Sequence, residues 1–219
     1  MNRLLFEKTG NGIWISHLDL MRLFQRAFKR GGLNLKHSQG FSPRAMVSIA
    51  LPLSVGVESV WEILDYELDG QSVPHEEVVE RLNATMPAGV RVLKSYESIC
   101  KVKNLAKLRC GITLEYDNGV PEGAVEEIEA LFHRESLSVE KKGKNGPVEQ
   151  DIIPMISNLA VTQPDENTVK LGAVVCAQNP SLNPQLLVSA IGRYAPELNP
   201  DFAKIRREEV LLSDGGVFR

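Results

Sequence analysis

The first half of the chain carries a pattern of apolar and polar positions that predicts four strands and two helices. An apolar run at residues 3–9 is typical of a strand. The next apolar residues recur at helical spacing between Ser16, which is a good helix N-cap, and the Gly31–Gly32 pair. The other predicted elements are three strands, at residues 46–53, 61–68 and 90–98, and a helix at residues 74–86. This order, β-α-β-β-α-β, is the ferredoxin-like pattern.

The second half repeats this order of elements. Its predicted strands and helices lie at residues 107–116, 121–135, 137–143, 169–176, 183–195 and 204–212. Residues 146–164 interrupt the series, and we expect them to form an insertion with a short helix or an extended lid. The pattern therefore predicts an α+β fold of two tandem ferredoxin-like (βαββαβ) halves. An α+β domain without internal duplication is the alternative.

This interpretation divides the chain into four parts. The first half contains the helix after Ser16, which is rich in basic residues, and a loop with the sequence SQGFSP. A linker joins it to the second half, which contains the insertion, and a frayed tail follows. The corresponding boundaries are 1–98, 99–107, 108–212 and 213–219.

Composition excludes several classes of protein. The chain has 219 residues, 43% hydrophobic and 24% charged, which is ordinary for a globular protein. It has no apolar run near the ~20 residues that span a bilayer and no recognisable signal peptide, so we expect a cytoplasmic protein without a membrane partner. Cys100, Cys110 and Cys176 form neither a C-x-x-C pair nor a C-x-x-x-C-x-x-C triplet. We therefore expect no disulfide framework, no metal site and no cofactor.

Charge is distributed unevenly along a chain whose net charge is −3. Residues 1–50 contain eight Lys or Arg and two acids, a net charge of +6. The remaining residues contain 17 basic and 26 acidic side chains, a net charge of −9. This asymmetry indicates a local site for a polyanion on an otherwise acidic protein.

The basic residues of the first helix and of the loop after it form a candidate RNA-binding surface. The spacing of the helical residues places them on one side, away from the apolar stripe. Each Lys or Arg that contacts a phosphate displaces counterions, so a few of them supply salt-dependent affinity. An ordinary solvated helix face is the alternative. The residues expected to hold phosphates are Arg22, Arg26, Lys29, Arg30, Lys36 and Arg44.

The loop "KHSQGFSP" is expected to contact a specific feature of the RNA. Gly40 can adopt a positive φ and let a ligand approach the backbone, and the neighbouring side chains offer neutral hydrogen-bonding groups. Phe41 either stacks on a base or plugs the core, and for this residue alone the core plug is favoured. The residues of the predicted contact loop are His37, Ser38, Gln39, Gly40 and Phe41.

Three motifs within residues 3–68, "SHLDLMR", "SQGFSP" and "LPLSVGVES", carry a resemblance to the radical-SAM-linked protein family, a bacterial domain of unknown function. The sequence departs from that family after "SQGFSP", where Ala45 and Met46 follow Arg44 in place of a proline and a basic residue. The resemblance implies a gene next to, or fused to, that of a radical SAM protein, in a neighbourhood of ribonuclease and ribosomal-protein genes. Together with the basic surface, it leads us to expect a tRNA- or rRNA-binding accessory protein that works with a separate radical SAM enzyme.

Two other functions stay open at this point. The chain resembles CRISPR repeat-RNA endonucleases at the level of the fold, and His17 and His37 would then supply the acid–base groups of a metal-independent endoribonuclease. A pure protein–protein adaptor is the other alternative, because several predicted elements are acidic. His75 and His133 are expected to lie on the surface of acidic helices. An enzyme is the less favoured interpretation.

Overall fold

The structure of the chain is a computed structural model that describes residues 1–70, 72–143 and 146–219. Gln71, Lys144 and Asn145, which fall within the two predicted halves, lie outside the described residues. The described residues form a mixed α+β structure that divides into two units, Met1–Asn104 with Arg219 (unit 1) and Leu105–Phe218 (unit 2).

Unit 1 is built from strands and helices in the predicted order. Its elements are β1 (Asn2–Lys8), α1 (His17–Arg30), β2 (Val47–Ala50), β3 (Glu58–Tyr66), α2 (His75–Asn83) and β4 (Val90–Glu97). All the strand pairs are antiparallel: β1 lies between β3 and β4, and β2 pairs with the other side of β3. The strand order is therefore β4-β1-β3-β2, and the apolar pattern had predicted each of these elements.

Helix α1 packs on one face of this sheet through two aromatic contacts. The rings of Phe6 on β1 and Phe24 on α1 are 4.7 Å apart in an edge-to-face arrangement. The rings of Phe28 on α1 and Tyr66 on β3 are 5.1 Å apart. Such pairs contribute about 0.5–1.5 kcal/mol beyond the burial of their area, and they fix the rotation of α1 about its own axis.

The same sheet contains a buried ion pair that the sequence pattern did not reveal. Arg3 on β1 lies opposite Asp65 on β3 in the strand register. The Arg3 guanidinium donates two hydrogen bonds to the Asp65 carboxylate, 2.6 Å from Nε to Oδ1 and 2.9 Å from Nη2 to Oδ2. Arg3 is 1% exposed, so its charge does not contribute to the protein surface.

Unit 2 contains four antiparallel strands with the same relative strand order. Its elements are β5 (Lys107–Glu115), α3 (Ala124–Phe132), β6 (Ser138–Gly143), β7 (Gly146–Asp151), β8 (Ile156–Asp165), β9 (Thr168–Cys176), α4 (Gln185–Tyr194) and β10 (Phe202–Leu211). Strand β5 lies between β9 and β10, and β8 pairs with the other side of β9. The order is therefore β10-β5-β9-β8.

The second strand of this sheet is not the one that the sequence pattern indicates. Residues 137–143 were expected to fill that place, but β6 instead pairs with β7 in a separate hairpin. The place is taken by β8, from the segment expected to form a short helix or a lid. Most β8 side chains are exposed, and the strand contains Pro164, as an edge strand tolerates. Because an edge strand buries little apolar surface, its sequence carries no clear alternating pattern.

The C-terminal segment, expected to be frayed, is packed. Val217 forms a β-bridge with Leu211, and the Phe218 amide donates a hydrogen bond to the Val210 carbonyl over 2.9 Å. The Phe218 side chain is fully buried. Burial of a Phe side chain stabilises a fold by about 1.5–3 kcal/mol, which offsets part of the entropy lost when the segment is ordered.

The Arg3–Asp65 pair makes a prediction about stability. Asp65→Ala leaves a buried guanidinium without its bidentate partner, and the free energy of unfolding in urea should fall by about 3 kcal/mol. Glu77→Ala, which breaks a half-exposed pair with Arg81 on α2, is the control, and the loss of this pair should cost only about 0.3–0.5 kcal/mol. An equal loss of unfolding free energy in the two variants would contradict the larger contribution expected of the buried pair.

A second prediction concerns Cys110 on β5. Burial raises the pKa of this thiol to about 12. The thiol is therefore neutral at mildly alkaline pH and should react slowly with iodoacetamide, whereas the half-buried Cys100 and Cys176 should react first. Mass spectrometry of the folded protein over time, with a urea-unfolded sample as the reference, measures the three rates. Labelling of Cys110 at the rate of the other two in the folded protein would contradict the burial of its thiol.

Candidate functional site

The N-terminus of α1 is held by Ser16, the N-cap that the sequence predicted. The Ser16 hydroxyl accepts a hydrogen bond from the Asp19 amide over 3.2 Å and donates one to the Asp19 carboxylate over 2.7 Å. Asp19 also forms an ion pair with Arg22 over 3.0 Å. The hydrogen bond from Ser16 and the charge of Arg22 lower the pKa of the Asp19 carboxyl. The positive charge of Arg22 is therefore already paired in the free protein.

The two faces of α1 differ sharply in burial. Its apolar stripe is buried against the sheet, whereas four basic residues are exposed: Arg22, Arg26, Lys29 and Arg30. Within the described part of the chain, no carboxylate forms an ion pair with Arg26, Lys29 or Arg30. Three unneutralised cations thus occupy the C-terminal half of the helix.

The positive charge of the N-terminal region is more localised than the sequence count indicates. Arg3 and Lys8 belong to the predicted excess, but each is only 1% exposed. Between Leu20 and Val57 the sequence contains six Lys or Arg and no Asp or Glu. The exposed excess therefore comes from α1 and the loop that follows it.

That loop is a small hairpin whose neck is fixed by backbone hydrogen bonds. The Met46 amide donates to the Lys36 carbonyl over 2.7 Å, and the Ser38 amide donates to the Arg44 carbonyl over 2.8 Å. The Arg44 amide also donates to the Ser38 hydroxyl over 3.0 Å. Residues 38–44, which we call the tip loop, are all exposed.

The neck is attached to the end of β3 through Lys36. The Lys36 amide donates to the Glu67 carbonyl over 2.9 Å, and the Lys36 ammonium lies 3.1 Å from the Glu67 carboxylate. Lys36, predicted to hold a phosphate, thus already has an ionic partner. Arg44 at the other side of the neck has no ion pair among the described residues.

The structure overturns the prediction that Phe41 plugs the core. Its exposed fraction is 112%, which means that the side chain packs against nothing in the protein. The neck carries the tip loop away from the sheet, and Leu33 and Val47 on either side of the hairpin already fill the core. Gly40 adopts φ +129°, and an added Cβ there would meet no atom within 4 Å.

An open groove of about 400 Å³ lies between α1 and the neck of the hairpin. Its floor is apolar and includes Phe28 and Leu33. Its polar lining residues are Gln25, Lys29, Asn34 and His37. Sequence analysis missed Gln25 and Asn34, because no motif contains them; the position of Gln25 one turn before Lys29 was the only available signal.

The structure does not bring the two candidate catalytic histidines together. His37 lines the groove beside Lys29. His17 is the first residue of α1, twelve residues before Lys29. At 1.5 Å per residue this is a distance of about 18 Å along the helix. A general acid and a general base must both lie within hydrogen-bonding reach of the reacting atoms, so this arrangement gives the nuclease alternative no support.

His75 was expected on the surface and is instead half-buried at the start of α2. Its Nδ1 lies 2.8 Å from the Ser95 hydroxyl, which is also 2.8 Å from the Tyr66 hydroxyl. His133, in contrast, is exposed as expected. His75 therefore connects α2 to the sheet by a hydrogen bond.

Two further observations concern the described residues as a whole. They include no group of three or more His, Cys, Asp or Glu placed to hold a metal ion. None of the helices found in them is long and apolar enough to cross a membrane.

Fold and site together define a mixed α+β protein with an exposed basic helix beside a projecting loop. Residues 2–184 match the model of the family described as "Uncharacterized protein conserved in bacteria (DUF2344)", and the chain belongs to this family. That description assigns no activity, and the link to a radical SAM enzyme stays a prediction. No curated protein matches the sequence significantly.

Two solved structures contain chains that are similar in fold. A chain of the "Crystal Structure of a Cbf5-Nop10-Gar1 Complex" aligns with 95% of this chain and 48% of its own length, at 9% identity and a TM-score of 0.54. A chain of the "Crystal structure of the archaeal box H/ACA sRNP Nop10-Cbf5 complex" aligns with 94% and 46%, at 12% identity and a TM-score of 0.46. The chain thus spans about half the length of these solved chains. The first likeness shows a shared fold alone, and we base no argument on the second.

Proposed function

We propose that the protein binds RNA, either tRNA or rRNA, as an accessory to a separate radical SAM enzyme. The observation that carries the RNA component is the group of exposed cations without ion pairs on the C-terminal half of α1 and at the hairpin neck. Arg26, Lys29 and Arg30 on the helix, with Arg44 at the neck, are its unneutralised cations. We call these four residues the basic surface.

The spacing of the helical cations fits a nucleic-acid backbone. Arg26 and Arg30 are separated by one helical turn, about 6 Å along the axis. Successive phosphates of one DNA strand are about 3.4 Å apart along the duplex axis, so two cations at this separation can reach phosphates about two positions apart on one strand. Each contact would release condensed counterions, and affinity would fall as salt rises.

Arg22 and Lys36 would also contact RNA if each exchanged its present carboxylate partner for a phosphate. Their present ion pairs with Asp19 and Glu67 are largely exposed to solvent. Exposed pairs of this kind contribute about 0–1 kcal/mol, so an RNA phosphate competes with them at little cost. We therefore place Arg22 and Lys36 at the rim of the interface and the four unpaired cations at its centre.

The contact loop, residues 37–41, would supply hydrogen-bonding groups in addition to the charges of the basic surface. His37, Ser38 and Gln39 present exposed donors and acceptors next to the basic surface. Phosphate contacts position a protein on RNA, whereas contacts to the bases specify the site. We assign this second role to the loop residues 37–41.

The radical SAM component of the proposal is supported by the sequence resemblance. This chain has three cysteines without the triplet spacing of an iron–sulfur ligand set, so the cluster would be carried by the partner. Trp14 and Leu18, exposed apolar residues before and within the first turn of α1, favour a protein contact there. That observation also supports the adaptor alternative, which the RNA measurements below distinguish.

We also propose that the two units are tandem ferredoxin-like halves. The support is the strand order, β4-β1-β3-β2 in unit 1 and β10-β5-β9-β8 in unit 2, with all pairs antiparallel in each. Strand β8 then stands for the second strand of its half, and the β6–β7 hairpin is an addition between α3 and β8.

Charge reversal on α1 tests the RNA proposal. The variant Arg26→Glu/Arg30→Glu should weaken the binding of fluorescently labelled total bacterial tRNA or rRNA fragments more than tenfold at low salt, because two phosphate contacts become repulsive. The slope of log Kd against log salt should fall by about one to two. Thermal unfolding should change little, since both side chains are exposed.

The matched control is Lys101→Glu/Lys103→Glu, which changes the net charge equally at two exposed residues outside the basic surface. It should bind RNA almost as the unaltered protein does. If the folded α1 variant binds as tightly as this control, the helix is not the RNA interface. If the unaltered protein binds no RNA at low salt, the adaptor alternative replaces the proposal.

A further inference from the structure

We propose that the tip loop selects RNA with an unpaired base and that the Phe41 ring stacks on that base while α1 holds the backbone. This inference rests on the proposed RNA-binding function and deepens it by naming the substrate class. The preferred ligand is a single-stranded segment, a loop or a bulge of a folded RNA, in contrast to a continuous duplex.

The environment of Phe41 differs from that of the other phenylalanines of unit 1. Phe6, Phe24 and Phe28 are fully buried, whereas Phe41 is fully exposed. Burial of an aromatic side chain is among the largest stabilising contributions that a single residue can make. Phe41 does not make this contribution in the free protein. A ligand with a flat apolar surface would recover that gain.

The hairpin neck presents this ring in a defined place. The three hydrogen bonds across the neck join Lys36 to Met46 and Ser38 to Arg44, so the ends of the tip loop are fixed before a ligand binds. Fixing them in advance reduces the entropy that binding must remove. Gly40, beside Phe41, leaves open space at its Cα through which a base approaches the backbone.

The polar surroundings of the ring favour a nucleobase over a lipid surface. Phe41 stands between Gly40 and Ser42, with Gln39 and Arg44 in the same exposed loop. A membrane-binding segment presents a broad apolar face, whereas this loop presents one aromatic ring among hydrogen-bonding groups. Such a set can stack on a base and read its edge, as RNA-binding proteins do with unpaired nucleotides.

The groove beside α1 gives the neighbouring nucleotide a place. Lys29 and His37 line it together with Gln25, and its apolar floor is formed by Phe28 and Leu33. A strand that leaves its stacked base on Phe41 would run past these polar groups toward Arg26 and Arg30. In a duplex the base faces are covered by stacking, so Phe41 would have no surface to contact.

The test compares two RNA probes with equal numbers of phosphates per strand: an unstructured oligouridylate and a blunt duplex. The unaltered protein should bind the oligouridylate more tightly. Phe41→Ala should weaken oligouridylate binding about tenfold or more, because a lost base stack has an effect of that size. Duplex binding should not change. The salt slope for oligouridylate should also be unchanged, because the substitution removes no charge.

Two further variants control the interpretation. Phe41→Trp should retain the preference for oligouridylate, because indole also stacks on bases. Phe202→Ala removes another exposed phenylalanine, at the start of β10, and should bind both probes as the unaltered protein does. If Phe41→Trp fails in the same way as Phe41→Ala, base stacking is not the role of residue 41.

The outcomes separate this inference from the function on which it rests. If Phe41→Ala changes neither probe, or both equally, stacking on an unpaired base is wrong although RNA binding by the basic surface stands. If the unaltered protein binds neither probe at low salt, both proposals fail. Binding to phosphatidylcholine–phosphatidylserine vesicles that depends on Phe41, without discrimination between the RNA probes, would assign the tip loop to membranes and overturn the inference.

Discussion

The packing of α1 against β1 and β3 determines where every candidate binding residue lies. The edge-to-face contact of Phe24 with Phe6 and the contact of Phe28 with Tyr66 leave the helix one orientation. With that face buried, the residues between the apolar positions must face solvent, and the cations of α1 are among them. The exposure of the helical part of the basic surface is thus a consequence of the packing of the core.

The same packing also starts the hairpin. After α1 the chain turns at Gly32, which adopts φ +67°, and the Leu33 amide donates to the Phe28 carbonyl over 2.9 Å. Leu33 is buried in the unit 1 core, and this anchors the segment that follows. Lys36 then joins Glu67 at the end of β3, and the chain reverses through the tip loop. The positive φ at Gly32 and the buried side chain of Leu33 therefore fix the point at which the hairpin leaves α1.

The parts of the structure that the sequence predicted are those governed by local interactions. The Ser16 cap and the apolar stripe of α1 depend on residues within a few positions, so both were predictable. Edge strand β8 and the packing of Phe218 depend on partners distant in sequence. Phe41 shows the same limit: an aromatic residue between two apolar segments is usually part of the core. Phe41 is exposed because the neck hydrogen bonds carry the tip loop away from the sheet, and a pattern of residue types does not predict those hydrogen bonds.

The sequence predicted the basic residues of the candidate site but not the groove beside them. Counting residues identified a basic region, but it included Arg3 and Lys8, whose charges are buried. Field strength at a surface depends on exposed charge, so the positive excess of the N-terminal region that acts at the surface comes from α1 and the hairpin. The groove residues Gln25 and Asn34 come from a helix and from the segment after it, and their proximity follows from the tertiary fold alone.

The accessory model requires one surface for RNA and another for a protein partner, and α1 is long enough to offer both. Leu18, 66% exposed, lies in its first turn, and Arg30 ends the helix twelve residues later, about 18 Å away along the axis. Arg26, Lys29 and Arg30 lie about 12–18 Å from Leu18 along the axis, beyond the Debye length of about 8 Å at physiological salt, so a partner at the first turn would be largely screened from them. The rim residue Arg22 lies within that length, about 6 Å from Leu18. A protein that docks at the N-terminal end would leave the tip loop and the groove accessible. In the proposed accessory, the surface for RNA and the surface for the partner would therefore lie toward opposite ends of one helix.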